Sequence, residues 1–179
     1  MEKRNERNLN HIKERVLMDF QKSGKRHLLI TGSKGIGKST LLRQIIKSES
    51  SYGGIITRLI CDSNGHSKHV LLLDALDSRR VTKVGVINSI GTAMDPIIQG
   101  FEGLGREILC SYRRSNKDLI IIDEIGYMES KAIKYREEIH LCFDEKRVIA
   151  VLRKSSTPFL EEIRRIEDSF LVDLDDYYQ

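Results

Sequence analysis

The apolar residues of this chain fall into short blocks whose spacing changes along its length. Over residues 5–22, Leu9, Ile12, Val16, Leu17 and Phe20 recur three and four positions apart. That spacing predicts a helix with one apolar stripe, closed by Ser23-Gly24. The block around His27-Leu28-Leu29-Ile30-Thr31 predicts a first strand over 26–31, and a helix follows over 38–48. Residues 50–54 read as a loop, 54–60 as a β-branched strand and 69–74 as its return, with Asn64-Gly65 as the hairpin turn between them. Residues 77–93 are turn-rich around one apolar piece, 84–87. Ile97, Ile98, Phe101, Leu104, Ile108, Leu109 and Tyr112 predict a helix over 97–114, weakened near its start by Gly100, Gly103 and Gly105. The runs 119–123 and 147–152 show no polar alternation, which is the pattern of strands covered on both faces of a parallel sheet. Helices are expected over 130–143 and from Pro158 to Ile166, and a last strand over 169–173.

Alternating strands and helices imply an α/β domain around a mainly parallel sheet. The pattern divides the chain into an N-terminal helical extension, 1–25, and a domain, 26–179. Of 179 residues, 40% are hydrophobic and 31% charged, a globular composition with room for one core. No run of 18 apolar residues could span a membrane, and no apolar stretch follows the charged N-terminus to make a signal peptide. Cys61, Cys110 and Cys142 form no paired motif, so reduced thiols and a cytoplasmic location are expected. The net charge of +4 is modest and lacks a basic–aromatic stripe, which argues against nucleic acid as a partner.

The chemistry begins at Gly32-Ser33-Lys34-Gly35-Ile36-Gly37-Lys38-Ser39, which fits G-x-x-x-x-G-K-[ST] at every fixed position. It lies between a predicted strand and a predicted helix, the context this motif requires. Backbone N–H groups of such a loop, extended here to Thr40, cradle a polyphosphate. The lysine reaches the outer phosphates and the serine hydroxyl coordinates Mg²⁺. The run Ile120-Ile121-Ile122-Asp123-Glu124 puts carboxylates at the C-terminal end of a strand, where α/β sheets bind ligands. Asp123 is expected to join Ser39 at Mg²⁺, and Glu124 to orient or deprotonate a water attacking the γ-phosphate. Lys38 and Glu124 are thus the candidate catalytic residues.

Asp123-Glu124-Ile125-Gly126 followed by Met128-Glu129 resembles the Asp-Glu-Ile-Gly-Lys-Met-Glu signature of a small P-loop nucleoside-triphosphatase family. Gly54-x-x-Thr57, Val84-Gly85, Gly100-Phe101-Glu102 and the late segment Pro158 with Glu161-Glu162-Ile163-Arg164 are similar to further pieces of it, in order. Three places depart from the pattern: Tyr127 stands for a lysine, Arg58-Leu59-Ile60 for a Glu-Val-Arg, and 173–179 lacks an Asn-Arg near the base-binding end. The resemblance implies a three-layer P-loop NTPase domain with a mainly parallel sheet, a β-hairpin and an added N-terminal helix. It also implies hydrolysis of ATP or GTP, with broad base tolerance, to diphosphate and phosphate. A nucleotide or small-molecule kinase on the same fold is a second reading. An ATP-binding adaptor acting through a partner or self-association at residues 1–25 is a third. Arg153 and Lys154, past the strand 147–152, are candidates for an arginine finger or for solvated loop charges. Arg113-Arg114 at a helix end are explained by its dipole.

Overall fold

The two unbroken apolar runs lie side by side as paired parallel strands inside one sheet. A computed structural model describes residues 2–61, 67–88 and 94–178. Its elements are α1 (Glu2–Ser23), β1 (His27–Thr31), α2 (Lys38–Ile46), β2 (Tyr52–Cys61), β3 (Ser67–Asp74), β4 (Val81–Asn88), β5 (Asp95–Pro96), α3 (Ile98–Gly100), α4 (Arg106–Arg113), β6 (Leu119–Ile125), α5 (Ile133–Glu145), β7 (Arg147–Leu152), α6 (Pro158–Arg164) and β8 (Ser169–Asp173). Among the described residues the strands form one sheet in the order β5-β4-β3-β2-β6-β7-β1-β8. From β2 to β8 the neighbours are parallel, and from β2 to β5 antiparallel. The expected hairpin is therefore the first part of a longer meander, and the piece at 84–87 belongs to a full strand of it. The Asn64-Gly65 turn lies outside the described residues.

The absence of alternation in the central strands has a direct cause. Successive side chains point to opposite faces, and both faces are covered. Leu29, Ile120, Ile122, Val148 and Ala150 pack under α4, α5 and α6. Their neighbours Leu28, Ile30, Leu119, Ile121 and Ile149 pack under α1 and α2. Helices, sheet and helices make the three layers. The stripe of α1 faces its own domain: Ile12 and Val16 are fully buried against this second layer. Each such side chain contributes about 2 kcal/mol by transfer from water.

Two expectations are corrected. Residues 52–54 are strand, not loop. A Cβ on Gly53 would run into the ring of Tyr112, and one on Gly54 into the carbonyl oxygen of Ile121 on β6. The glycine pair marks close packing inside the sheet, with Gly54 at φ +135°. The helix over 97–114 is interrupted by a π-helical turn, Phe101–Gly105, between α3 and α4. Arg113 does more than end its helix. It binds Glu138 at 2.6 Å and Glu145 at 2.7 Å, tying α4 to α5.

Candidate functional site

The phosphate-binding motif forms the turn from β1 into α2. The two fixed glycines, Gly32 and Gly37, take φ of 143° and 109°, and Gly35 between them takes 82°, conformations that side chains disfavour. The backbone N–H groups of Lys34, Gly35, Gly37 and Lys38 make no hydrogen bond among the described residues. Ile36 N–H donates to Ser33 O at 3.3 Å and shapes the turn. Lys38 Nζ donates to Gly32 O at 2.9 Å and Ser33 O at 3.0 Å, so the ammonium is held over the loop. Thr40 is exposed on the first turn of α2.

β6 ends two strands away from β1 at the same edge of the sheet, and its register brings Asp123 to the loop. Ser39 Oγ donates to Asp123 Oδ1 at 2.7 Å. Burial raises the pKa of Asp123, while the Ser39 bond and the charges of Arg43 and Lys38 oppose the rise. After Asp123 the pairing with β7 steps by one residue, from Asp123↔Val151 to Ile125↔Leu152, leaving Glu124 as an extra residue whose side chain is re-aimed. Burial raises its pKa as well; Arg153 and Lys38 oppose the rise, and Asp123 adds to it.

Arg153 and Lys154, adjacent in sequence, have different fates. Lys154 Nζ is committed to Asp173 at 2.8 Å and Asp175 at 2.6 Å. Arg153 places its guanidinium 4.9 Å from the ring centroid of Tyr127, with Nε 3.8 Å from Glu124 Oε1. Its backbone is pinned from both sides, by N–H donation to Ile125 O at 2.9 Å and by Arg164 donating to its carbonyl at 2.8 Å. Tyr127, where the signature that the chain resembles has lysine, thus presents the face of a ring that holds an arginine. Arg58 does not join the site. It is exposed on β2, while its neighbours Thr57 and Leu59 line the cavity.

That cavity, of about 350 Å³, is bounded on one side by Lys34, Ser39, Asp123, Glu124 and Arg153. Opposite them stand Thr57, Leu59, Val70, Ile87, Met94 and Met128. Sequence reasoning assigned no role to Glu129, which also lines it. Glu129 is 1% exposed, accepts from Gly126 N–H at 2.9 Å and is pushed up to about 7 by burial. The signal was present in the Met128-Glu129 ending of the signature segment.

The segment after β8 was also unassigned. Asp175 Oδ2 accepts from Ser33 N at 3.0 Å and from Ser33 Oγ at 2.9 Å. Leu174 packs against Gly32, where a Cβ would lie 3.3 Å from its own. Tyr177 donates to Asp19 of α1 at 2.7 Å under the guanidinium of Arg15. No local pattern announces these contacts.

The donor set fits a magnesium ion. Ser39 Oγ and Asp123 Oδ1 are hard oxygens within hydrogen-bond distance, and a cation would offset the buried carboxyl. Among the described residues no group of three or more His, Cys, Asp or Glu is arranged to hold a metal, so phosphate oxygens and water would complete the shell. Among the same residues no helix is long and apolar enough to cross a membrane.

A family model described as NTPase matches residues 27–177. Over 153 residues the chain is 35% identical to nucleoside-triphosphatase THEP1 of Thermotoga petrophila, covering 76% of this chain and 77% of that protein. It is 32% identical over 162 residues to THEP1 of Thermotoga maritima, covering 83% and 86%. The crystal structure of THEP1 from Aquifex aeolicus superposes with a TM-score of 0.64 at 26% identity, covering 83% of this chain and 89% of that one.

Proposed function

Because the chain belongs to this NTPase family, we propose that Lys38, Ser39, Asp123 and Glu124 carry out its hydrolysis of nucleoside triphosphates, with Mg²⁺ as cofactor and ATP or GTP as substrate. The observation that carries the reading is the 2.7 Å bond from Ser39 to Asp123, which joins the two halves of the motif with Glu124 beside them.

The loop N–H groups and Lys38 bind the β- and γ-phosphates. Ser39 and Asp123 hold Mg²⁺, which when bound neutralises charge on those phosphates. Glu124 accepts a proton from a water whose oxygen bonds to the γ-phosphorus as the bond to the bridging oxygen breaks, giving diphosphate and phosphate. A carboxylate whose pKa is raised by burial accepts that proton more readily at neutral pH. Arg153, whose guanidinium makes no hydrogen bond among the described residues and which lines the cavity, stabilises the charge that develops on the transferring group.

Phosphate release from purified protein with Mg²⁺-ATP or Mg²⁺-GTP tests the reading. Glu124→Gln is expected to bind nucleotide as wild type does and to lose turnover at least a hundredfold. Turnover by Glu124→Gln at the wild-type rate would falsify the assignment of the base.

A further inference from the structure

Part of the wall of the cavity of about 350 Å³ is apolar, formed by Leu59, Val70, Ile87, Met94 and Met128, whose side chains offer a triphosphate and a water no polar partner. Its sheet order gives its two sides different meanings. The strands run β1, β7, β6, β2, β3, β4, so the phosphate loop, Arg153, Glu124 and then the apolar wall follow one another along one edge. β2 runs parallel to β6 only as far as Ile56↔Asp123 and then continues to Cys61, rising past Glu124 with Thr57 and Leu59 turned to the cavity. Val70 and Met128, 6% and 8% exposed, floor this side, and Leu59 stands 57% exposed at its lip. An exposed leucine above a buried apolar floor, with carboxyls of Glu124 and Glu129 at its inner end, is the make-up of a small-molecule pocket.

On the proposed reading, Glu124 marks the γ-phosphate end of the nucleotide. The apolar wall therefore lies beyond the γ-phosphate, on the side from which a nucleophile approaches. We propose that this half of the cavity is an acceptor subsite for a small molecule with an apolar body and a hydroxyl group. The hydroxyl takes the place of the attacking water. Its oxygen bonds to the γ-phosphorus, Glu124 receives its proton, and the diphosphate leaves, so the products are a phosphate monoester and the nucleoside diphosphate. Hydrolysis is the same displacement when water fills the subsite. This inference rests on the nucleotide-binding reading above.

Benzyl alcohol serves as the probe, titrated into the full chain turning over Mg²⁺-ATP, with ADP and phosphate quantified and ³¹P NMR used to detect benzyl phosphate. The expected result is ADP formed in excess of free phosphate, the difference appearing as the monoester. Leu59→Asp is expected to lower the ratio of ester to phosphate at least fivefold; the ratio is internal to each reaction and is insensitive to loss of active protein. ADP and phosphate in equal amounts at every alcohol concentration, with no ester, overturns the acceptor subsite and leaves hydrolysis standing. No ADP from any triphosphate in alcohol-free buffer overturns the hydrolysis reading instead.

Discussion

The hydroxyl of Tyr177 donates a 2.7 Å hydrogen bond to Oδ2 of Asp19, so the segment that touches the phosphate loop is fastened to α1. The path runs from Asp19 through Tyr177 and the short turn Leu174–Asp176 to Asp175 and Ser33. Tyr177→Phe removes the hydroxyl while keeping the ring under Arg15. One hydrogen bond contributes about 1 kcal/mol, so the Kd for ATP is expected to rise roughly fivefold. Asp19→Ala should match it, and Asp19→Asn, whose carbonyl still accepts, should restore affinity. Loss of thermal stability with an unchanged Kd would mean that the anchor holds the fold and not the loop.

Lys38 is held over its own loop by two carbonyls, ready to exchange them for phosphate oxygens. Lys38→Ala should abolish nucleotide binding with little effect on the free protein. Saturating ligand at about a hundred times Kd stabilises a protein by ~2.7 kcal/mol, worth roughly 5–10 °C in Tm at this chain length. Wild type should show that shift with Mg²⁺-ATP, and Lys38→Ala none.

Tyr127 carries Arg153 on its ring face, 4.9 Å from the centroid. Tyr127→Phe keeps the face and is expected to keep kcat. Tyr127→Leu, and more strongly Arg153→Ala, should lower kcat by about tenfold and a hundredfold with KM less affected. Equal kcat in Tyr127→Leu and wild type would show that the ring does not position the arginine.

Glu129 gives the fold a pH dependence of defined sign. Its carboxyl is pushed up to about 7 by burial from an ordinary value of 4.5. Between those values the unfolded chain ionises while the folded one keeps its proton. The stability from this group is complete below 4.5 and is lost as pH rises through 7, by about 1.4 kcal/mol per pH unit across the window. Glu129→Gln still accepts from Gly126 N–H but does not titrate. Its Tm should gain on wild type between pH 5 and pH 8. A constant difference across that range would place the group at an ordinary pKa.

Gly54 and Gly103 separate packing from propensity. A Cβ on Gly54 would overlap the Ile121 carbonyl at φ +135°, and one on Gly103 would meet nothing within 4 Å. Gly54→Ala should therefore fail to accumulate as folded protein or lose ~4 kcal/mol or more. Gly103→Ala should be neutral or stabilising by up to about 1 kcal/mol. Circular dichroism melts of the two variants decide this.

These contrasts also explain what could be read in the chain. The covered strands around Ile121 and Ile149 were legible because burial on both faces leaves an unbroken apolar run. The phosphate loop was legible because its constraints are local, with three glycines at positive φ and one lysine five and six residues from the carbonyls it holds. Gly53-Gly54 misled because a glycine pair looks alike whether it serves a turn or the approach of Tyr112 and Ile121. Arg153 on Tyr127 and Asp175 on Ser33 were hidden for another reason. The second pair is separated by 142 positions, and nothing near either residue records the partner. Asp123 and Glu124 stood out only because the loop had already supplied a need for carboxylates.

The pairing of β1 with β8 has a consequence for how the protein comes into being. The loop 32–39 is made well over a hundred residues before its neighbours Leu174, Asp175 and the strand Ser169–Asp173 beside β1, since Ser33 and Asp175 are 142 positions apart. Chains grow from the N-terminus, and segments fold as their partners emerge. On a ribosome the nucleotide site therefore stays unfinished until residues 169–175 are free. A nascent or prematurely terminated chain would carry the whole phosphate-binding motif without the edge that holds it in shape.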